Sequence, residues 1–152
     1  MSTTLKVAVL MGSANDGDQM KGASDMLERF GVEADVRVMS AHRTPADVAA
    51  FAQAARADGY AAIICGAGMA AHLAGAVAAN TTLPVVGVPL ANGALNGVDA
   101  LYATVQMPKG IPVATVAING SANAAILVVQ MLSITDAELA AKLDEHRAGG
   151  AR

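Results

Sequence analysis

Cysteine, aromatic side chains and charge are all scarce in this chain of 152 residues. The single cysteine, Cys65, excludes an internal disulfide framework and fits a reducing compartment. It ends an apolar strand-like run, where a thiol reads as a small buried hydrophobe. Aromatics are 3% of the residues and hydrophobic residues 54%, so the core must be closely packed from small and aliphatic side chains. The net charge is −3, with no Lys/Arg cluster and no aromatic platform, which argues against nucleic acid and against an anionic membrane surface as partners. Met1–Lys6 carries no basic segment followed by an apolar one, so no signal peptide is read there. The charge-free stretch from Gly59 to Val98 is divided by Gly66, Gly68, Asn80, Pro84 and Pro89 into strand- and helix-sized pieces, too short to span a bilayer. The expectation is a soluble, cytoplasmic protein of one domain over residues 1–152, flexible at 1–5 and 148–152.

Several common fingerprints are also missing. There is no Gly-Lys-Ser/Thr of a Walker loop, no Gly-x-Gly-x-x-Gly and no Gly-x-Ser-x-Gly elbow. Neither His42 nor His72 stands at a zinc-like spacing from Cys, Asp or Glu, so no metal site is read.

What is present alternates between two periods. Strands are expected at 6–11, 33–39, 61–65, 85–89 and 113–118, with helices at 16–30, 45–58, 70–79, 97–106 and 122–133. A capping box at Thr135-Asp136-Ala137-Glu138 opens a last helix to about Arg147, followed by a frayed tail at 148–152. Ala61–Ile64 and Val85–Val88 are continuous apolar runs, as expected of strands covered on both faces. Five βα units plus a C-terminal helix predict an α/β fold: a three-layer, doubly wound parallel sheet in flavodoxin-like order. The helices at 70–79 and 122–133 have no charged face, which predicts that other subunits complete their burial in a compact homo-oligomer.

In such a sheet, sites lie beyond the carboxyl ends of the strands. Ser40-Ala41-His42-Arg43-Thr44-Pro45 falls there, between a strand and a helix that Thr44, Pro45 and Asp47 open. An imidazole that titrates near neutrality beside a permanent guanidinium can do acid–base work on an anion held by Arg43; the bland alternative is a surface pair. Gly12-Ser13-Ala14-Asn15-Asp16 follows the first strand and offers free backbone N–H groups, a hydroxyl and a helix N-terminus to a phosphate. Asp16 there can accept from sugar hydroxyls, or can simply cap the helix. Gly66-Ala67-Gly68 permits close approach of backbone to a ligand, and His72 follows in the first turn of a helix, as a pocket residue or a core histidine bonded to a carbonyl. His146, near the end of the last helix, reads as a solvated partner of the helix dipole.

Four motifs in order then carry a resemblance. Met11–Asp16 with Met20, Ser40–Pro45, Gly66-Ala67-Gly68-Met69-Ala70-Ala71-His72-Leu73 and Val105–Val113 closely resemble N5-carboxyaminoimidazole ribonucleotide mutase, the PurE family of purine biosynthesis, over about residues 6 to 140. The resemblance implies a flavodoxin-like subunit of an octamer that isomerises N5-carboxyaminoimidazole ribonucleotide to 4-carboxy-5-aminoimidazole ribonucleotide through trapped CO2, without metal, ATP or organic cofactor. It implies His42 as general acid/base, with Ser13, Asp16 and Arg43 binding substrate and Ser40 and the Gly12–Asn15 loop assisting at phosphate and ribose. His72, with Leu73 beside it, and Gly66–Gly68 would line the pocket around the migrating carboxylate. Three departures stand out: Asn15 where the family usually has Ser, Met69 where many members have a second Gly, and a shorter segment at 118–123. The competing readings are an aminoimidazole ribonucleotide carboxylase using free CO2 and a non-catalytic flavodoxin-type module for nucleotide phosphates.

Overall fold

The computed structural model describes residues 4–152, so the expectation for 1–3 lies outside the described residues. Five parallel strands form one sheet in the order β2-β1-β3-β4-β5: β1 Lys6–Met11, β2 Glu33–Val38, β3 Tyr60–Gly68, β4 Val85–Leu90 and β5 Ala114–Thr115. This is the flavodoxin-like order, with the three-layer α/β architecture expected from the sequence. The helices are α1 Gly17–Arg29, α2 Pro45–Ala54, α3 Leu73–Ala78, α4 Val98–Val105, α5 Ser121–Ser133 and α6 Ala137–Ala148.

Strand alternation divides the core. Val7, Val9, Ala62 and Ile64 face α1, α5 and α6, while Ala8, Leu10, Ile63 and Cys65 face α2 and α3. Small residues let these layers close: a Cβ on Gly22 of α1 would stand 2.8 Å from the Ser121 hydroxyl of α5. Burial pushes the Cys65 thiol far up, which keeps it a neutral packing group. At the β2 edge, Asp35 accepts from Tyr60 and from Arg37 Nε, tying the edge strand across to β3. Burial pushes the Asp35 carboxyl up, and the bonds from Tyr60 and Arg37 outweigh it and hold the group below its usual range.

Several boundaries differ from the sequence reading. β3 runs on through Gly66-Ala67-Gly68, because these residues keep pairing with Val88-Pro89-Leu90. The following helix starts only at Leu73: Met69 takes a left-handed φ of 52°, and two tight turns, Ala71 N–H to Met69 O and His72 N–H to Ala70 O, intervene. The last strand keeps two ladder residues, Ala114 and Thr115. Asp136, not Thr135, caps α6, accepting from the Leu139 N–H at 3.1 Å.

The tail expected to fray is folded back. Gly149, Gly150 and Ala151 donate to Glu145, Arg147 and His146 carbonyls, and Arg29 reaches the Arg152 carbonyl. His146 also differs from its reading. It is 8% exposed, packed edge-on against Phe30 with centroids 5.6 Å apart, and neither ring nitrogen has a partner. It is therefore not a solvated partner of the dipole.

The all-apolar helices are partly covered within the chain, and Ile126, Leu127, Met131 and Leu132 of α5 stay half-buried. α5 packs against the sheet, α1 and α6 of its own chain, so Ala124, Ala125, Val128 and Val129 are buried without a second subunit. Large apolar side chains are exposed on α4 and the turn before it, at Leu95, Val98, Tyr102 and Val105, and also at Val36 and Val38 of β2 and at Ile134 after α5. Among the described residues, no helix is long and apolar enough to cross a membrane.

Candidate functional site

The loops that leave the carboxyl ends of β1, β2, β3 and β4 enclose a cleft of about 450 Å³. Its lining includes Gly12, Ser13, Asn15 and Asp16 from the first loop and Ser40, His42 and Arg43 from the second. Gly68, His72 and Leu73 come from the third. Ten of the eleven residues singled out from the sequence therefore meet in one place. The exception is Gly66. It is buried behind the wall, where a Cβ would stand 2.2 Å from Met20 Sδ, and its carbonyl accepts from the Gly12 N–H at 3.2 Å. Gly66 thus shapes the first loop and seats α1 without touching the cleft.

The first loop is set by Ser13, whose Oγ accepts from the Asn15 N–H at 3.2 Å as a short 3-10 turn begins. Asp16 closes that turn at the head of α1 but makes no side-chain cap bond. It is 5% exposed, and its Oδ1 accepts from Asn92 Nδ2 at 3.0 Å. The capping alternative for Asp16 is thereby set aside: its carboxylate points to the cleft rather than to the α1 amides.

The second loop is braced internally. Ser40 Oγ accepts from the N–H groups of His42 and Arg43, at 3.3 and 3.1 Å. Thr44 Oγ1 accepts from the Ser40 N–H and donates to the Ser40 carbonyl, so Thr44 ties the loop and does not cap α2 through its side chain. Both lone pairs of the Ser40 hydroxyl are occupied, which leaves its O–H to donate into the cleft. Arg43 is exposed at the rim, and none of the ion pairs among the described residues involves it. Its five donors are free for an anion.

The feature no motif announced is a contact between the two loop histidines. His42 Nε2 and His72 Nδ1 are 2.8 Å apart, with the rings at 88°. His72 stands at the N-cap position of α3, exposed, so it is neither in the first helical turn nor a core residue. One proton fits between the two nitrogens, so one ring donates and the other accepts. The pair fixes both rings while leaving the site able to give or take a proton. Asn92, from the loop after β4, is the lining residue that sequence reasoning passed over. The only signal for it was the placement of that loop on the same sheet edge.

Three comparisons bear on this arrangement. The chain is 51% identical over 146 residues to the N5-carboxyaminoimidazole ribonucleotide mutase of Brucella melitensis, covering 95% of this chain and 90% of that protein. It is 54% identical over 138 residues to the protein of the same name from Aquifex aeolicus, covering 91% and 83%. Among solved structures it superposes on Treponema denticola PurE with a TM-score of 0.87, at 29% identity over 96% of this chain and 91% of that one. The family model described as AIR carboxylase matches residues 6–152, the entire sheet and every loop of the cleft, and the chain belongs to that family.

Proposed function

We propose that this chain is an N5-carboxyaminoimidazole ribonucleotide mutase of purine biosynthesis, an isomerase that moves a carboxyl group within one ribonucleotide. The observation that carries the reading is the His42–His72 pair at 2.8 Å in a cleft whose other walls offer Arg43 and the Ser13–Asp16 loop. A phosphate suits Arg43 and the backbone N–H groups of Ser13 and Ala14 in the Gly12–Asn15 loop, and the ribose hydroxyls suit the Asp16 carboxylate. The base then lies toward the histidines and the Gly68 wall.

His42 is the acid and base of the reaction. Protonated, it donates to N5 as the carbamate C–N bond breaks, leaving aminoimidazole ribonucleotide and CO2. The nucleophilic C4 attacks the CO2 carbon, and His42 takes the C4 proton as the ring regains aromaticity. The proton lent in the first half returns in the second, so the sum is an isomerisation. One imidazole, giving a proton and then taking one, serves both halves. His72 holds the His42 ring in place, and the small residues Gly68 and Ala67 let the cleft wall approach CO2 closely enough for recapture to outrun escape. Assembly into an octamer and a cytoplasmic location belong to the same proposal. The exposed α4 stripe supports self-association, and Cys65, kept as a buried thiol, fits a reducing compartment.

The test is turnover by the purified chain of N5-carboxyaminoimidazole ribonucleotide, compared with aminoimidazole ribonucleotide plus bicarbonate. Fast use of the carbamate with weak use of bicarbonate is the expected result. Preference for free CO2 makes the chain a carboxylase, and inertness towards both leaves a nucleotide-phosphate binding module.

A further inference from the structure

Two dipeptides on opposite walls of the cleft interlock reciprocally. A Cβ on Gly68 would stand 2.3 Å from Asn92 Nδ2 and 2.9 Å from Asn92 Cβ, so the Asn92 side chain occupies the space a larger residue 68 would fill. A Cβ on Gly93 would stand 3.2 Å from Met69 Sδ, so the next residue along each wall reverses the arrangement. Gly68 receives Asn92, and Gly93 receives Met69. Both Met69 and Gly93 have left-handed backbones, with φ of 52° and 73°. Met69 holds that conformation although it carries a side chain, and the tight fit against Gly93 is what the turn gains from it.

Seated this way, Asn92 has both ends of its amide engaged. Its Nδ2 donates to Asp16 Oδ1 at 3.0 Å, and its Oδ1 accepts from Gln19 Nε2 at 3.4 Å. The chain Gln19–Asn92–Asp16 fixes which way the amide faces, because a flipped amide would set two donors against each other and an oxygen against the carboxylate. With Oδ1 of the nearly buried Asp16 engaged by Asn92, Oδ2 is the carboxylate oxygen without a hydrogen-bond partner among the described residues, and it faces a ligand in the cleft.

We propose that Asn92 is a positioning residue for ribose recognition: seated by the Gly68-Met69/Asn92-Gly93 interlock, it turns the Asp16 carboxylate so that its free oxygen meets the sugar hydroxyls. This rests on the function proposed above for the cleft, and it adds a residue and a device that the sequence motifs do not contain. Asn92 acts on the sugar end of the ligand, so it affects binding more than chemistry at the base.

The test uses the full chain with Asn92→Asp, which keeps the shape but replaces the donor, and Asn92→Leu, which keeps bulk without polarity. Each raises KM for N5-carboxyaminoimidazole ribonucleotide about tenfold while kcat stays within about threefold, the pattern of lost uniform binding. In an Asp16→Asn background, Asn92→Leu has no further effect on KM, because its route to the ligand is already cut. A KM within twofold of the parent in both variants overturns the proposal. So does an equal fall in kcat, or an undiminished effect in the Asp16→Asn background, which marks a merely structural role. If the parent chain turns over neither substrate, the functional reading fails. The same variants titrated with ribose 5-phosphate by calorimetry then decide the positioning role separately, with about tenfold weaker binding expected and unchanged binding overturning it.

Discussion

At the scale of single residues, the proposed chemistry rests on one imidazole. His42→Asn puts an amide of similar size in the Ser40-braced loop but removes the proton-transfer group. Turnover is expected to fall by about 10² to 10⁴-fold, the usual contribution of a positioned acid–base group, with product affinity within a few-fold of the parent. Comparing single-turnover rates with calorimetric binding checks this; residual activity near the parent level would move the role to another group. His42, Arg43, Ser13 and Asp16 were legible because they stand in contiguous motifs at strand ends. Asn92 was not, because its partner Asp16 is 76 positions away and only the fold joins them. His72 was legible as a pocket residue, but its contact with His42 across 30 positions was not. The misreading of His146 has a similar origin. Its place in a last helical turn suggested solvent, while its ring packs against Phe30, distant in sequence at the end of α1.

At the scale of elements, the order of strands and helices was readable from apolar runs and period, and the boundaries failed where glycine was taken as punctuation. Gly66 and Gly68 suggested a loop, yet β3 continues through them, since a parallel ladder needs backbone groups and not side chains. What these glycines supply is room for a neighbour, Met20 at Gly66 and Asn92 at Gly68. Gly66→Ala sets a Cβ 2.2 Å from Met20 Sδ and must displace α1 or force Met20 from its rotamer. A loss of about 1–3 kcal/mol in stability is expected, as for other overpacked cores. Adding Met20→Ala makes room for the new methyl group, so the double variant should be more stable than the sum of the two single losses predicts. Urea unfolding of the four proteins measures this coupling, and simple additivity would show that Met20 and Gly66 do not share the space.

At the scale of the whole molecule, the sequence predicted association for a reason that the fold partly removes. Ala124, Ala125, Val128 and Val129 of α5 are covered by α1, α6 and the sheet of its own chain, while Ile126, Leu127, Met131 and Leu132 stay half-buried, and α3 turns only small residues such as Gly75 and Ala76 outward. One exposed apolar stripe is not among those the sequence singled out, because it lies on a short helix. Val98, Tyr102 and Val105 recur at helical spacing on one side of α4, with Leu95 just before it, and Tyr102 is 62% exposed. Asp99 is the one charged residue of that helix, so little opposes the approach of a second copy. Light scattering at micromolar concentration is therefore expected to give a multiple of the chain mass. Val98→Glu and Tyr102→Glu, which place charge in the stripe without entering the core, should shift the population towards smaller species while the far-ultraviolet circular dichroism stays unchanged. A parent chain that is monomeric at that concentration would remove self-association altogether. An oligomer indifferent to both substitutions would move the contact away from α4, to faces whose small side chains the exposure pattern does not mark.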